Sequence, residues 1–250
     1  SEMCIRDRAI MAFVKENEID VIVNCAAYTA VDKAEDNQEL CAKLNSEAVG
    51  YLAKAAEENQ AEFIQISTDY VFDGTNYVPY RETEPTCPNS VYGVTKLAGE
   101  KKALEYCSKA MIIRTAWLYS VFGNNFVKTM IRLGKERESL GVIFDQIGTP
   151  TYARDLASAV FAAIRKGIIP GIYHFSNEGV CSWYDFTKSI HRIAGIGNCK
   201  VSPLHTDEYP AKAPRPHYSV LDKTKIKHTY GIEIPHWEES LEQCIKELNV

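Results

Sequence analysis

Short apolar runs alternate with helical stripes along the chain, and this alternation restricts the possible folds more than any other feature of the sequence. Residues 20–27 and 62–68 are continuous apolar runs, which are typical of parallel strands covered on both faces. Residues 37–58 between them carry apolar side chains at helical spacing, and further strands are predicted at 111–118 and near 141–147. Repeated strand–helix–strand units connect by right-handed crossovers, so the sequence predicts an α/β fold with a doubly wound, Rossmann-type parallel sheet.

The composition places the chain among globular proteins and excludes several classes of partner. Of the 250 residues, 46% are hydrophobic and 24% are charged, which is enough for a substantial core. The net charge of -5 and the lack of a basic tract argue against a nucleic-acid partner. No apolar stretch approaches the roughly 18 residues of a membrane span, so we expect a cytoplasmic protein without a membrane partner. The 8 Cys and 6 His are dispersed, which predicts reduced thiols and no protein-built metal site.

Tyr92 and Lys96 stand four residues apart on a predicted helix, where side chains at this spacing share one face. A cation beside a phenol favours the phenolate and lowers the tyrosine pKa from its ordinary value of about 10. Such a tyrosine can exchange a proton with a carbonyl oxygen. Tyr184 and Lys188 have the same spacing, but only Tyr92 follows a buried strand that ends on a hydroxyl, at Thr68. We therefore predict that Tyr92 and Lys96 are the functional pair.

Small residues end the first predicted strand. Ala26 and Ala27 would let a flat ligand approach the backbone closely, and Tyr28 and Thr29 follow at the carboxyl edge of the strand. Ligands of open α/β sheets bind beyond the carboxyl ends of the strands. These four residues are therefore candidate ligand contacts.

A dinucleotide-binding sheet carries a G-x-G-x-x-G turn after its first strand, and the chain contains no such motif. Either the protein binds no dinucleotide, or its first strands precede Ser1. Residues 1–8 fit neither a strand nor a helix face, and we interpret them as a non-native segment. We assign residues 9–150 to a partial NAD(P)-binding domain. Residues 151–250 are less regular and are assigned mainly to a smaller, C-terminal substrate-binding lobe.

Five ordered blocks carry a resemblance to a known family. They are residues 24–35, 66–74, 92–96, 114–119 and 145–156. From about residue 9 to its end, the chain resembles the dTDP-4-dehydrorhamnose reductases of the extended short-chain dehydrogenase/reductase superfamily. In that family a glycine-rich turn and the first strands precede the strand that matches residues 20–23, so the resemblance implies an N-terminally truncated sheet. We expect the 250-residue chain to be poorly soluble, without NADPH binding or activity, until about 40 such residues, two strand–helix units, are restored.

The resemblance implies a reaction: reduction of the C4 keto group of dTDP-4-dehydro-6-deoxy-L-mannose to dTDP-L-rhamnose by hydride from NADPH or NADH. It makes Tyr92 the proton donor to the carbonyl oxygen and Thr68 a second contact of that oxygen. Lys96 would lower the pKa of Tyr92 and hydrogen-bond the nicotinamide ribose. Residues 26–29, together with Tyr92 and Lys96, are the implied cofactor contacts.

The resemblance also implies substrate contacts. Thr68, Asp69 and Trp117 match positions that contact substrate in the family. Arg215 suits the nucleotide diphosphate, because a guanidinium pairs bidentately with phosphate oxygens. Some members use Mg²⁺, but the sequence shows no matching carboxylate cluster. The expected partner is a nucleotide-sugar, and the expected assembly is a monomer or a homodimer.

Two other functions stay open from the sequence. One is a different nucleotide-sugar reductase or an epimerase on the same fold. A 4,6-dehydratase is disfavoured, because the Thr-Asp-Glu trio of dehydratases is Thr68, Asp69 and Tyr70 here. The other is a non-catalytic regulator similar to the β subunit of methionine adenosyltransferase, since one fold hosts many functions. The intact Thr68, Tyr92 and Lys96 favour catalysis.

Overall fold

A computed structural model describes the backbone of residues 2–249 and the side chains of residues 9–249. The backbone of residues 2–8 is helical and begins α1, so the expectation that residues 1–8 fit no helix is wrong; their non-native origin stays a prediction. The helices of the described chain are α1 (Glu2–Glu16), α2 (Val31–Ala34), α3 (Gln38–Ala42), α4 (Ala48–Glu58), α5 (Val91–Tyr106), α6 (Phe126–Glu136), α7 (Ala153–Lys166), α8 (Trp183–Ile193), α9 (Thr224–Tyr230) and α10 (Trp237–Leu248).

The strands form one central sheet and several short pairs. They are β1 (Val21–Asn24), β2 (Glu62–Thr68), β3 (Ala110–Thr115), β4 (Leu118–Tyr119), β5 (Ser139–Ile143), β6 (Ile147–Gly148), β7 (Thr151–Tyr152), β8 (Gly171–His174), β9 (Cys181–Ser182) and β10 (Lys200–Leu204). The central sheet has four strands in the order β1-β2-β3-β8, and all of its pairs are parallel. The predicted α/β fold with a parallel sheet is confirmed.

The central sheet is covered on both faces, as its apolar runs predict. Phe63 of β2 and Ile112 of β3 pack with α4 and α5 on one face. Ile64 and Ile113, the next residues along the same strands, pack with α7 and α9 on the other face. Burying each such side chain contributes about 1.5–3 kcal/mol. The alternation of side chains along each strand therefore holds helices on both sides of the sheet.

A second core lies outside the central sheet and packs α6, α8 and α10 against β5. The strand predicted near 141–147 begins at Ser139 and pairs with β10, so it does not join the central sheet. Its residues alternate between buried and exposed, which suits a strand covered on one face. The fourth place in the central sheet belongs to β8, which lies beyond the predicted boundary at residue 150. How the two predicted domains divide cofactor and substrate binding stays a prediction.

The helix predicted over residues 37–58 is interrupted by a π-helical segment, Lys43–Glu47, between α3 and α4. This segment approaches α5 backbone to backbone. A Cβ on Gly99 of α5 would lie 2.1 Å from the carbonyl oxygen of Asn45, so the position requires glycine. Single π-helical turns inside α-helices often lie at functional sites.

A buried ion pair ties α5 to the central sheet. Arg114 of β3 contacts Glu100 of α5 at 2.7 Å, and both side chains are 2% exposed. Arg114 Nε donates a second hydrogen bond to Glu100 Oε1 at 2.9 Å. Ser67 of β2 donates its hydroxyl proton to the same oxygen at 2.5 Å. Two strands and one helix therefore meet at a single carboxylate.

We expect Glu100→Gln to lower the free energy of unfolding by about 3 kcal/mol, because it leaves the buried Arg114 charge unpaired. Glu136→Gln is the matched control, since Glu136 pairs with Arg132 at 2.8 Å on the exposed face of α6. Its effect should stay within about 0.5 kcal/mol. Urea unfolding of both variants measures the difference. A Glu100→Gln chain as stable as the wild type would contradict this role of the ion pair.

Candidate active site

The parallel strands β1, β2 and β3 end at one edge of the sheet, and the predicted catalytic residues meet there. Thr68 is the last residue of β2 and is 4% exposed. Ser90 caps α5 by accepting a hydrogen bond from the Gly93 backbone N–H at 3.2 Å. The helix therefore begins just before Tyr92, which places Tyr92 and Lys96 one turn apart beside the end of β2.

Thr68 and Tyr92 form a hydroxyl pair. The Thr68 hydroxyl lies near enough to the Tyr92 phenol to favour its charged form. Thr68 Oγ1 also donates to Asp69 Oδ1 at 2.9 Å and accepts from the Tyr70 backbone N–H at 3.2 Å. These contacts orient the threonine hydroxyl beside the phenol. A carbonyl oxygen placed between the two hydroxyls would accept from Tyr92, and also from Thr68 once the threonine proton turns from Asp69 to that oxygen.

Burial raises the pKa of Tyr92 well above its ordinary value, and the nearby Thr68 hydroxyl offsets only part of this increase. The direction is opposite to the one predicted from Lys96. The Lys96 ammonium donates to the Ile66 carbonyl oxygen at 2.7 Å. Burial also lowers the pKa of Lys96 to about 8, although the Glu100 carboxylate favours the charged form. Spacing alone did not reveal that burial outweighs the charge of the lysine at this site.

The predicted cofactor contacts, residues 26–29, form an irregular loop after β1. Ala26 and Thr29 are exposed, while Ala27 and Tyr28 are half-buried. The Tyr28 backbone N–H donates to Asn45 Oδ1 at 2.8 Å, and Asn45 Nδ2 donates to the Tyr28 carbonyl oxygen at 3.2 Å. Lys96 acts electrostatically on the neighbouring Cys25 thiol, which places the ammonium beside this loop.

Asn45 is a structural contributor that sequence reasoning missed. It lies in the π-helical segment, is 1% exposed, and also donates to Thr95 Oγ1 of α5 at 3.2 Å. It thereby ties the loop after β1 to the helix that carries Tyr92. A buried amide within an otherwise apolar helical stripe was the available signal, since such a group needs partners.

Tyr70 is a second residue that the prediction passed over as a site residue. Its ring meets the Tyr92 ring edge-on, with 5.4 Å between centroids and an interplanar angle of 76°. Burial raises the pKa of Tyr70 to about 12, and the nearby charge of Arg215 acts in the opposite direction. Tyr70 therefore connects the hydroxyl pair to the predicted diphosphate-binding arginine. Its place directly after Thr68 and Asp69 was the available signal.

Trp117, a predicted substrate contact, lies just beyond β3 with a backbone φ of 48°. Its ring stacks on Trp183, with 3.5 Å between centroids and an interplanar angle of 10°. Phe126 packs against the other tryptophan at 4.5 Å. Gly148 gives Trp117 its space, because a Cβ there would lie 2.7 Å from Trp117 Cε2. Sequence reasoning missed Trp183, which lies far from Trp117 in the chain, and Phe126, which begins α6.

A cavity of about 390 Å³ opens beside this edge of the sheet. Its wall includes Val31, Tyr70, Phe126, Met130, Gly141, Val142, Ile143, Gln146, Trp183, Thr206, Tyr209, Ala211 and Arg215. Of the predicted residues, Arg215 lines the cavity directly. Tyr70 and Trp183 line the cavity, and their rings contact those of Tyr92 and Trp117. The cavity is mainly apolar with few polar groups, which is typical of small-molecule sites.

The second Tyr-x-x-x-Lys pair lies elsewhere. Tyr184 and Lys188 belong to α8, where Tyr184 packs against the second core and Lys188 is exposed. Within residues 9–249, no group of three or more His, Cys, Asp or Glu side chains is arranged to hold a metal ion. None of the described helices is long and apolar enough to cross a membrane.

Known proteins are similar to this chain in both sequence and fold. The family model of the RmlD substrate binding domain matches residues 2–250. The dTDP-4-dehydrorhamnose reductase of Escherichia coli K12 is 45% identical over 238 residues, which cover 92% of this chain and 80% of the relative. The chain belongs to the dTDP-4-dehydrorhamnose reductase family.

Solved structures of the reductase family superpose closely on the chain. A dTDP-4-dehydrorhamnose reductase from Clostridium acetobutylicum shares 46% identity with a TM-score of 0.93, covering 97% of this chain and 85% of that one. The enzyme from Bacillus anthracis, solved in complex with NADP, shares 41% identity with a TM-score of 0.93 over 96% and 85% of the two chains. These superpositions include both the central sheet and the second core.

Burial raises the pKa of Asp69 to about 6, although the hydrogen bond from Thr68 favours its charged form. An unfolded aspartate titrates near about 3.9, so the folded chain binds the proton more tightly. Protonation of Asp69 therefore stabilises the folded chain fully below about pH 4, and this stabilisation is lost as the pH rises through about 6. We expect Asp69→Asn, which does not titrate, to gain about 2 kcal/mol relative to the wild type between pH 4 and 7.

Urea unfolding of both chains at several pH values measures this gain. Asp73→Asn is the control of opposite sign, because hydrogen bonds from Thr75 and Tyr80 lower the pKa of Asp73. Its stability relative to the wild type should fall as the pH rises. A difference between Asp69→Asn and the wild type that does not change with pH would contradict the burial argument.

Proposed function

We propose that this chain reduces the C4 keto group of dTDP-4-dehydro-6-deoxy-L-mannose to dTDP-L-rhamnose with NADPH as the hydride source. Membership of the reductase family and the NADP complex of the Bacillus anthracis relative support the reaction and the cofactor. The hydroxyl pair of Thr68 and Tyr92 at the carboxyl end of β2 is the observation that carries the proposal. Among the side chains at this edge of the sheet, these two hydroxyls suit a carbonyl oxygen best.

The loop after β1 fits a nicotinamide cofactor. Residues 26–29 offer small side chains and partly exposed backbone at the carboxyl edge of the sheet, beside the Lys96 ammonium. One of the three N–H groups of Lys96 donates to Ile66, which leaves two for a ribose hydroxyl. We propose that Ala26, Ala27, Tyr28, Thr29, Tyr92 and Lys96 hold the cofactor. When bound, NADPH supplies the hydride to C4 of the sugar.

Tyr92 acts as the proton donor in this proposal. Its raised pKa keeps the phenol protonated throughout the neutral range, which is the form that can give a proton to the developing alkoxide. With substrate bound, the Thr68 proton turns from Asp69 to the same oxygen, and this second hydrogen bond keeps the substrate carbonyl in place. Lys96, with a pKa of about 8, stays mainly protonated near pH 7 and anchors the end of β2 through Ile66.

The substrate contacts proposed are Thr68, Asp69, Trp117 and Arg215. Arg215 lines the cavity and suits the diphosphate, because a planar guanidinium binds phosphate oxygens bidentately. Trp117 presents one face of a stacked pair of rings near the sugar site. A nucleotide-sugar is thus the proposed partner, and we place the reaction in the cytoplasm of the source cell. The predicted monomer or homodimer stays a prediction.

The alternatives are supported less well by the site. Tyr70 stands where a dehydratase carries glutamate, so this position offers no carboxylate to act at C6. A purely regulatory role would leave the hydroxyl pair of Thr68 and Tyr92 without a use. An epimerase shares these residues and differs in its product.

We expect Tyr92→Phe to lower kcat by about 10²- to 10⁴-fold, because the variant has no phenolic proton to donate. Tyr184→Phe is the matched control from the second Tyr-x-x-x-Lys pair and should keep wild-type activity. Both variants are assayed by NADPH oxidation in the extended chain, which is residues 1–250 preceded by a glycine-rich N-terminal segment of the family. NADPH binding, followed by fluorescence, should fall far less than kcat in Tyr92→Phe, because the other cofactor contacts remain. Equal turnover by Tyr92→Phe and the wild type would contradict the assignment of the proton donor.

A further inference from the structure

Residues 205–217, called the strap below, form one side of the cavity. Thr206, Tyr209, Ala211 and Arg215 of the strap all lie in the cavity wall. Between them the chain from Asp207 to Lys212 is exposed and contains little secondary structure. The strap therefore depends on contacts near its two ends to keep its place over the cavity.

One end of the strap is held by Asp32 in α2. Asp32 Oδ1 accepts hydrogen bonds from the backbone N–H groups of Lys212 and Ala213 at 3.2 and 3.0 Å. Asp32 Oδ2 accepts a hydrogen bond from Arg215 Nη2 at 2.6 Å. A single carboxylate thus binds three groups within four residues of the strap. Hydrogen bonds to a charged acceptor are stronger than neutral ones.

The other end is held by Asp145, between β5 and β6. Asp145 Oδ1 accepts the Thr206 hydroxyl proton at 2.6 Å, and Oδ2 accepts from the Thr206 backbone N–H at 3.1 Å. Burial disfavours the Asp145 charge, but these hydrogen bonds outweigh it and lower the pKa of the carboxyl. The strap is therefore fixed by one carboxylate at each end of the cavity.

Arg215 is the charged strap residue in the cavity wall, and its surroundings set its orientation. Its side chain is 21% exposed and lies between Asp32 and Tyr70. Within residues 9–249, Arg215 Nη1 is buried and has no hydrogen-bond partner. A buried donor without a partner is unfavourable, and a phosphate oxygen that reached it would relieve this cost. Flanking Pro214 and Pro216 limit the backbone motion of the arginine.

We propose that Asp32 is a positioning residue for nucleotide-sugar binding. Asp32 does not touch the substrate; it fixes the strap and holds Arg215 at the cavity so that the guanidinium meets the diphosphate. The inference rests on the proposed function and deepens it, because it names the residue that prepares the diphosphate site. Asp145 likewise holds Thr206 at the other end of the strap.

The direct test is the affinity of dTDP for the extended chain, measured by titration calorimetry. We expect Asp32→Ala to weaken dTDP binding about tenfold, because Arg215 and the strap lose their anchor. Asp36→Ala is the matched control on the neighbouring turn. Asp36 contacts the strap only through the exposed side chain of Lys212, so its effect should stay within about twofold. NADPH binding should be the same in all three chains.

Hydrogen exchange gives a readout that does not depend on activity. The amides of Lys212 and Ala213 should exchange faster in Asp32→Ala than in the wild type and in Asp36→Ala, because their acceptor is missing. A double-mutant cycle with Arg215→Gln tests the route of the effect. If Asp32 acts through Arg215, Asp32→Ala should weaken dTDP binding less in the Arg215→Gln background than in the wild type.

Unchanged or tighter dTDP binding by Asp32→Ala would overturn the positioning role, even if the strap amides exchange faster. Equal losses in both backgrounds would overturn the route through Arg215. The proposed function fails in a different way. A wild-type extended chain that binds dTDP and NADPH but shows no turnover would reject the reductase reaction and leave the role of Asp32 in nucleotide binding standing.

Discussion

The ion pair between Glu100 and Arg114 is the interaction on which the arrangement of this site depends. It joins α5 to β3, and Ser67 brings β2 to the same carboxylate. Tyr92 and Lys96 lie on α5, and Thr68 follows Ser67 on β2. Replacing a buried ion pair by apolar groups is often neutral for stability, so the value of this pair lies in fixing the helix on the strands. The hydroxyl pair is a consequence of that alignment.

Burial governs the electrostatics of the same edge. It raises the pKa of Asp69 to about 6, lowers that of Lys96 to about 8, and raises that of Tyr92. All three shifts favour the neutral form of the side chain, as expected where water is largely excluded. A proton donor near a carbonyl benefits from such surroundings, because each hydrogen bond is electrostatically stronger there. Desolvation therefore sets the protonation states of this site as much as the charge of the lysine does.

The parts that sequence reasoning predicted are those set by local order. Apolar runs and helical stripes predict the parallel sheet, and the spacing of Tyr92 and Lys96 after a strand that ends at Thr68 brings these residues together. The place of β8, the stacking of Trp183 on Trp117 and the contact of Asp32 with Arg215 depend on segments far apart in the chain. The direction of the Tyr92 pKa shift was predicted wrongly, because spacing carries no information on burial. The roles given to Ala26, Asp69, Trp117 and the other site residues stay proposals.

The central claim is that the chain delivers a hydride to C4 of a keto-sugar. The most direct measurement supplies the extended chain with the keto-sugar and with NADPH that carries deuterium at both C4 positions of the nicotinamide, and follows the sugar product by NMR. The account predicts dTDP-L-rhamnose with one deuterium at C4 of the sugar, transferred from one face of the cofactor. A sugar product without deuterium at C4, such as an epimer formed without net consumption of NADPH, would contradict it.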